Sequence, residues 1–185
     1  MSYPVAGQAY QPVPPSYVVA SFGRRFGALL LDGIGIAVVG AIAVAALHIP
    51  GVATTTTAAN GGTETTYMVT NSGWSAVSLA LISAVYCISF WATSGATLGQ
   101  RMLGLHVFDA AGPKPLPLQG AAVRWFVLFG IGYLIGAIAI LSPNTSGVVG
   151  LGQLAWVIIL AVTTYQSPTK QGWHDRAAGS YVVRG

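Results

Sequence analysis

Arg24-Arg25-Phe26-Gly27-Ala28-Leu29-Leu30-Leu31-Asp32-Gly33-Ile34-Gly35-Ile36-Ala37-Val38-Val39, running on without a charge to His48, is the stretch that decides the fold. Two arginines open it and one aspartate interrupts it. The apolar run over residues 26–48 is long enough, at about 1.5 Å per residue, to cross a hydrocarbon core of about 30 Å. Pro50-Gly51 ends it. Three further apolar stretches follow, near residues 74–93, 121–141 and 148–165. All eight Lys and Arg residues lie before the first stretch, between the second and third or at the start of the third, or after the fourth. They are Arg24, Arg25, Arg101, Lys114, Arg124, Lys170, Arg176 and Arg184. Basic residues resist translocation, so short loops that carry them stay cytoplasmic. One topology places every basic residue correctly, with both termini cytoplasmic in a multi-pass protein of the cell membrane.

The expected fold is therefore an all-α membrane protein, a four-transmembrane-helix bundle. A small cytoplasmic cap completes it, with a short interfacial helix and a two-strand pairing. Composition agrees: 54% of the 185 residues are hydrophobic and 6% are charged, where a soluble domain carries about 25% charged residues. Four spans with short connections leave no room for a separate water-soluble catalytic domain. The pI near 9.5 does not point to nucleic acid, because the basic residues are dispersed along membrane flanks. It fits anionic lipid headgroups on the cytoplasmic side. Cys87 is the single cysteine, so no internal disulfide forms, and its place inside a span predicts a packing thiol.

Residues 1–20, with four prolines and no charge, predict a disordered Pro/Tyr-rich cytoplasmic arm. The folded unit is expected over residues 21–185. Residues 51–73 are threonine-rich with Glu64 as their one charge, and predict a polar extracytoplasmic loop with a weak hairpin. Trp74 and Trp91 flank the second span as an aromatic belt would. The Arg24-Arg25 pair resembles a twin-arginine export signal, but Asp32 breaks the apolar core and three more spans follow.

Asp32 is the hardest residue to place in lipid. It lies seven residues beyond Arg25, or ~10 Å along a helix. An ionised carboxylate deep in a span costs about 2.5–3.5 kcal/mol and is rarely left without a partner. Two readings stand side by side. In one, Asp32 pairs with Arg25 or Arg124 and fixes helix order; in the other it is a titrating or cation-binding carboxylate lining a path. Gly33, Gly35 and the Gly132-x-x-x-Gly136 pair predict close helix packing. In the 94–119 loop, Leu98, Met102 and Leu105 recur at helical spacing beside Arg101, which predicts an amphipathic piece in the headgroup layer. Val107-Phe108-Asp109 to Gly112 reads as an extended stretch into a turn, and Tyr181–Val183 is a candidate partner strand for Leu105–Phe108. His106, Asp109, His174 and Asp175 match no metal-ligand spacing, so no metal or cofactor is expected. No nucleophile with a positioned base is visible, which argues against an enzyme.

Four motifs in order carry a resemblance. They are Arg25-x-x-Ala28-x-x-x-Asp32; Gly95-x-Thr97-x-Gly99-x-Arg101-x-x-Gly104-x-x-Val107; Arg124 before the third span; and His174-Asp175-x-x-Ala178-Gly179-Ser180. Together, over about residues 21–184, they resemble the RDD family of membrane proteins. The likeness implies that the family's arginine and first aspartate are Arg25 and Asp32, and that its second aspartate is Asp175, with Asp109 at another common family position. Gln100 stands where a lysine is usual, which removes one loop charge, and Ser180 where threonine is usual. The family implies a polytopic membrane protein, with transport of unidentified ligands suggested and cation/proton antiport linked to some relatives. Arg25, Asp32, Arg124 and Asp175 are thus the expected polar framework or ion pathway. Thr97, Gly99, Arg101, Gly104, Asp109 and His174 are the expected cap residues. The functional expectation is transport, or assistance to transport, of a small solute or ion. The alternative is a non-catalytic subunit or scaffold of a larger membrane complex, and a homo-oligomer fits either.

Overall fold

A computed structural model describes residues 18–46, 52–57, 63–68, 73–141 and 143–185. A short strand β1 (Val18–Val19) leads into helix α1 (Phe22–Ala46). Strands β2 (Val52–Thr57) and β3 (Thr63–Met68) form an antiparallel hairpin in register Val52 to Met68, in the loop read as a weak hairpin. Helix α2 (Gly73–Thr93), the short helix α3 (Leu98–Met102) and strand β4 (Leu105–Asp109) follow. The third long helical unit starts as α4 (Leu118–Trp125), passes through a π-helical segment at Phe126–Gly130 and continues as α5 (Ile131–Leu141). A 3-10 turn (Pro143–Thr145), helix α6 (Ser146–Gln166), the short helix α7 (Trp173–Ala177) and strand β5 (Ser180–Arg184) complete the chain.

Four helical stretches are long and apolar enough to cross a membrane: Phe22–Ala43, Ala76–Thr93, Leu118–Ile138 and Ser146–Gln166. Only 17% of each is buried within the chain, so their remaining apolar faces require lipid rather than water. On α1 the exposed stripe is Leu30, Ile34, Val38 and Ile42, and on α2 it is Val77, Leu81 and Val85. A spacing of four residues puts each set on one helix face. The first span starts at Phe22 and not at Phe26, so Arg24 and Arg25 lie inside its first turns. His48 and residues 1–17 lie outside the described residues, and so does the side chain of Trp74.

The sheet at the basic end has the order β1-β5-β4. β4 and β5 pair antiparallel, with Leu105 opposite Arg184 and Asp109 opposite Ser180. That is the pairing expected of Tyr181–Val183, extended by a residue at each end. β1 adds Val18 opposite Arg184 and Val19 opposite Val183, and Ala20 is buried. The folded unit therefore begins by Val18 rather than at residue 21, because the open edge of β5 supplies backbone partners for it. Leu105 is a buried strand residue, not the third member of an amphipathic helix. Leu98 and Met102, both in α3, are the exposed pair.

The buried core sits where cap meets bundle: Ala20, Ala28, Cys87, Trp91, Leu105, Val107, Leu116, Ala121 and Val182. Trp91, expected at a lipid interface, is 2% exposed. Its indole donates to Gln100 Oε1 at 3.0 Å, and its carbonyl accepts from Leu116 N at 3.1 Å. The cap folds over it, and the polar edge of the ring is satisfied by protein instead of headgroups. Gly95 makes the turn that returns the chain from α2, with φ +69° and its carbonyl bonded to Val107 N at 2.6 Å. The third and fourth units pack through polar contacts: Trp156 Nε1 donates to Val127 O at 3.2 Å and Gln153 Nε2 to Gly132 O at 3.1 Å. Gly136 faces Gln153 closely, whereas a Cβ at Gly33 or Gly35 would meet nothing within 4 Å. The close approach expected of Gly33 and Gly35 is made by Gly99 instead.

Candidate functional site

The four framework residues form two separate centres. In the first, α1, α4 and the tail converge on Asp175, which is 0% exposed. Arg25 Nη1 donates to Asp175 Oδ2 at 2.7 Å, and Arg124 Nη1 donates to Oδ1 of the same carboxylate. Gly172 N adds a third bond at 3.2 Å, so Asp175 also holds the start of its own short helix. Each arginine reaches further. Arg25 donates to the carbonyls of Ala20 at 3.2 Å and Val182 at 3.1 Å, tying β1 and β5 to α1. Arg124 donates to Ser180 Oγ at 2.7 Å, and its guanidinium lies 4.9 Å from the centre of the Trp91 ring. Desolvated cation–π contacts of this kind contribute about 2 kcal/mol.

The electrostatics of this centre are one-sided. Burial alone pushes the Asp175 carboxyl up, but Arg124, His174 and Arg25 outweigh it and hold it well below the usual carboxylate range. His174 is also buried, with Nε2 3.6 Å from Asp175 Oδ1. Burial pushes its imidazole down to about 4, against the pull of Asp175 and with help from both guanidiniums. The imidazole is therefore neutral near pH 7, and two guanidiniums share one carboxylate. Breaking such a buried group by removing one partner costs far more than its net contribution.

The second centre surrounds Asp32, and of the two readings of that residue it does not show the pairing with Arg25 or Arg124. Both arginines are committed to Asp175, and among the described residues no ion pair reaches Asp32. The carboxylate, 8% exposed, instead accepts from neutral donors. Tyr86 Oη donates to Oδ1 at 2.6 Å, Thr97 Oγ1 to Oδ2 at 2.6 Å and Gly99 N to Oδ1 at 2.8 Å. Tyr86 Oη in turn accepts from Leu98 N at 3.0 Å. Close contact is possible because residue 99 is glycine: a Cβ there would lie 2.5 Å from Ala28 O and 2.9 Å from Asp32 Oδ1. Thr97 caps α3 in a capping box with Gln100, and Gln100 Oε1 also accepts from Thr97 N at 2.9 Å. Gln100 thus holds Trp91 and the α3 start together.

The other cap residues have local partners. Arg101 stands 5.4 Å from the centre of the Phe90 ring, and Gly104, with φ +62°, ends α3. Asp109 Oδ1 accepts from Ala111 N at 3.0 Å in the expected turn, and His106 stacks on Phe108 with ring centres 5.8 Å apart. Tyr86, Gln100, Trp91 and Ser180 were not singled out from sequence as parts of these centres. The Thr97-x-x-Gln100 spacing was the available signal for two of the contacts, since it marks a helix start. Nothing local marks Tyr86, which is 54 residues from Asp32.

Four spans capped by a small sheet, with every Lys and Arg at one end and one carboxylate inside, define a polytopic membrane protein. The model described as the RDD family matches residues 19–179, and the chain belongs to that family. No curated protein and no solved structure matches it.

Proposed function

We propose that this chain transports a small cation or proton, or assists its passage, across the cell membrane, with Asp32 as the exchanging carboxylate. One observation supports the reading most: Asp32 is buried in a span, and its bonds come from hydroxyls and a backbone N–H rather than from a cation. Ionisable groups inside membranes mark ion routes far more often than they fill space. A hydroxyl both donates and accepts, so Thr97 can keep its bond when Oδ2 takes up a proton. Oδ1 grips Gly99 N and, through Tyr86, Leu98 N. Loading Asp32 with a proton or cation weakens that grip on the start of α3, which couples occupancy to the cap. The reading is non-enzymatic. It sets the cap and both termini in the cytoplasm, where the basic residues other than Arg25 and Arg124 meet anionic headgroups.

The test is ion flux in proteoliposomes. Wild-type protein is expected to dissipate an imposed sodium or proton gradient, and Asp32→Asn to abolish that flux while remaining folded and inserted. A folded Asp32→Asn that moves ions like wild type removes the carboxylate from the mechanism. The centre at Asp175 favours a second reading, a non-catalytic subunit or scaffold, since Arg25 and Arg124 fasten cap to spans without facing a path. Wild-type protein that moves nothing and co-purifies stoichiometrically with a larger complex selects that reading.

A further inference from the structure

The contact between α1 and α2 leaves an apolar groove of about 500 Å³ on the membrane-facing surface, lined by Gly35, Val39, Leu81, Val85, Tyr86 and Leu98 among others. Its volume is in the range of sites that bury small molecules. Gly35 opens it: a side chain there would meet nothing within 4 Å, so the missing side chain serves no helix contact. The groove runs from α3, at the basic end, toward the middle of the two spans.

A cation stands at that end. Arg101 lies one turn along α3 from Leu98, on the same face. Its guanidinium is 5.4 Å from the centre of the Phe90 ring, and Phe90 in turn packs on Tyr86 with ring centres 5.0 Å apart. Two independent routes, along α3 and along α2, therefore place Arg101 beside the mouth of the groove. Arg101 is exposed and enters no ion pair among the described residues.

We infer that this groove is a binding site for one anionic phospholipid, one of its acyl chains between α1 and α2 and its phosphate on Arg101. The walls match an alkyl chain, and a guanidinium matches a phosphate with two parallel N–H···O bonds. A neutral lipid fills the walls equally well but leaves Arg101 without a counter-charge, so charge complementarity selects the headgroup. The inference rests on the membrane-spanning bundle and not on the transport reading. It therefore stands or falls by lipid retention, separately from the flux of Asp32→Asn.

The experiment is native mass spectrometry of the full chain, purified in a non-ionic detergent and given equal phosphatidylglycerol and phosphatidylcholine. Wild-type protein is expected to retain one phosphatidylglycerol per chain, several-fold over phosphatidylcholine. Arg101→Gln is expected to abolish the headgroup preference, and Gly35→Leu to lower retention of both lipids at least several-fold. Lys170→Gln, at the same end but away from this groove, is expected to leave both unchanged. An equal loss of preference in Lys170→Gln and Arg101→Gln would mean a diffuse basic surface and overturn the site. Unchanged retention in Gly35→Leu overturns it too, as does a lipid-free dimer in which a second copy fills the groove.

Discussion

Asp32 and Asp175 are two buried carboxylates of one chain, held in opposite ways. Asp175 sits between two guanidiniums, with His174 beside it and a backbone N–H closing the set. Asp32 has two hydroxyls and a backbone N–H, with no ion pair among the described residues. The first arrangement locks a charge in place. Its partners come from α1, α4 and the tail, so the ion cluster joins segments 150 residues apart. The second leaves a charge poised, because every donor around it is neutral and one hydroxyl can reverse its bond. A fastening centre and the proposed exchange centre use the same side chain, and the difference lies in what surrounds it.

The sharpest way to break this contrast is to remove the Asp175 charge. Asp175→Asn leaves two buried guanidiniums without a counter-charge and is expected to destabilise the fold by about 3–5 kcal/mol. Loss of a cooperative melt in detergent would register it; a melt like wild type would mean that the cluster does not fasten the cap. Acid is the next largest perturbation. His174 refuses a proton down to about pH 4 in the fold, whereas the unfolded chain accepts it near 6.5. The unfolded state thus binds more protons in that window, and stability falls as pH drops from 6.5 to 4, by on the order of 3 kcal/mol. Asp175, held low in the fold, adds a further loss only below about pH 4, in the same direction. Melting temperatures across this window check the sign, and His174→Gln is expected to flatten the slope.

Asp32→Asn is expected to cost less, about 1–3 kcal/mol. An amide oxygen keeps some donors, while its NH2 must face one of the others. Equal damage from Asp32→Asn and Asp175→Asn would erase the distinction between poised and locked. The smallest effect is expected at Trp156→Phe, which removes the indole bond to Val127 O and none of the bonds to either carboxylate. It is expected to cost about 1 kcal/mol and to leave the pH slope unchanged.

The spans, the β4–β5 pairing and the turn at Asp109 could be read from the sequence, because each depends on local periodicity or a short motif. The partners of Asp32 could not. Counting along α1 from Arg25 gives the nearest cation on the same face, yet Arg25 bonds Asp175 and the capped start of α3 packs against α1 at Asp32. Trp91 was misplaced for a related reason. At the end of an apolar run a tryptophan suits either a headgroup layer or a core, and only the cap covering it decides. Gln100 looked like a lost charge and is a buried acceptor shared by Trp91 and Thr97. Contacts between residues far apart in the chain set these environments, and no periodicity records them.

The π-helical segment at Phe126–Gly130 gives the third span one residue of slack, since such a bulge amounts to a single insertion in an otherwise regular helix. Deleting one residue there lets the span close into plain α-helix, with Arg124 still on Asp175 and Gly136 still against Gln153. Deleting one residue within Ile131–Leu141 has no such outlet, and everything beyond it swings by about 100° away from α6. Two deletions of identical size, a few residues apart, are expected to leave a working bundle in one case and a mis-phased one in the other.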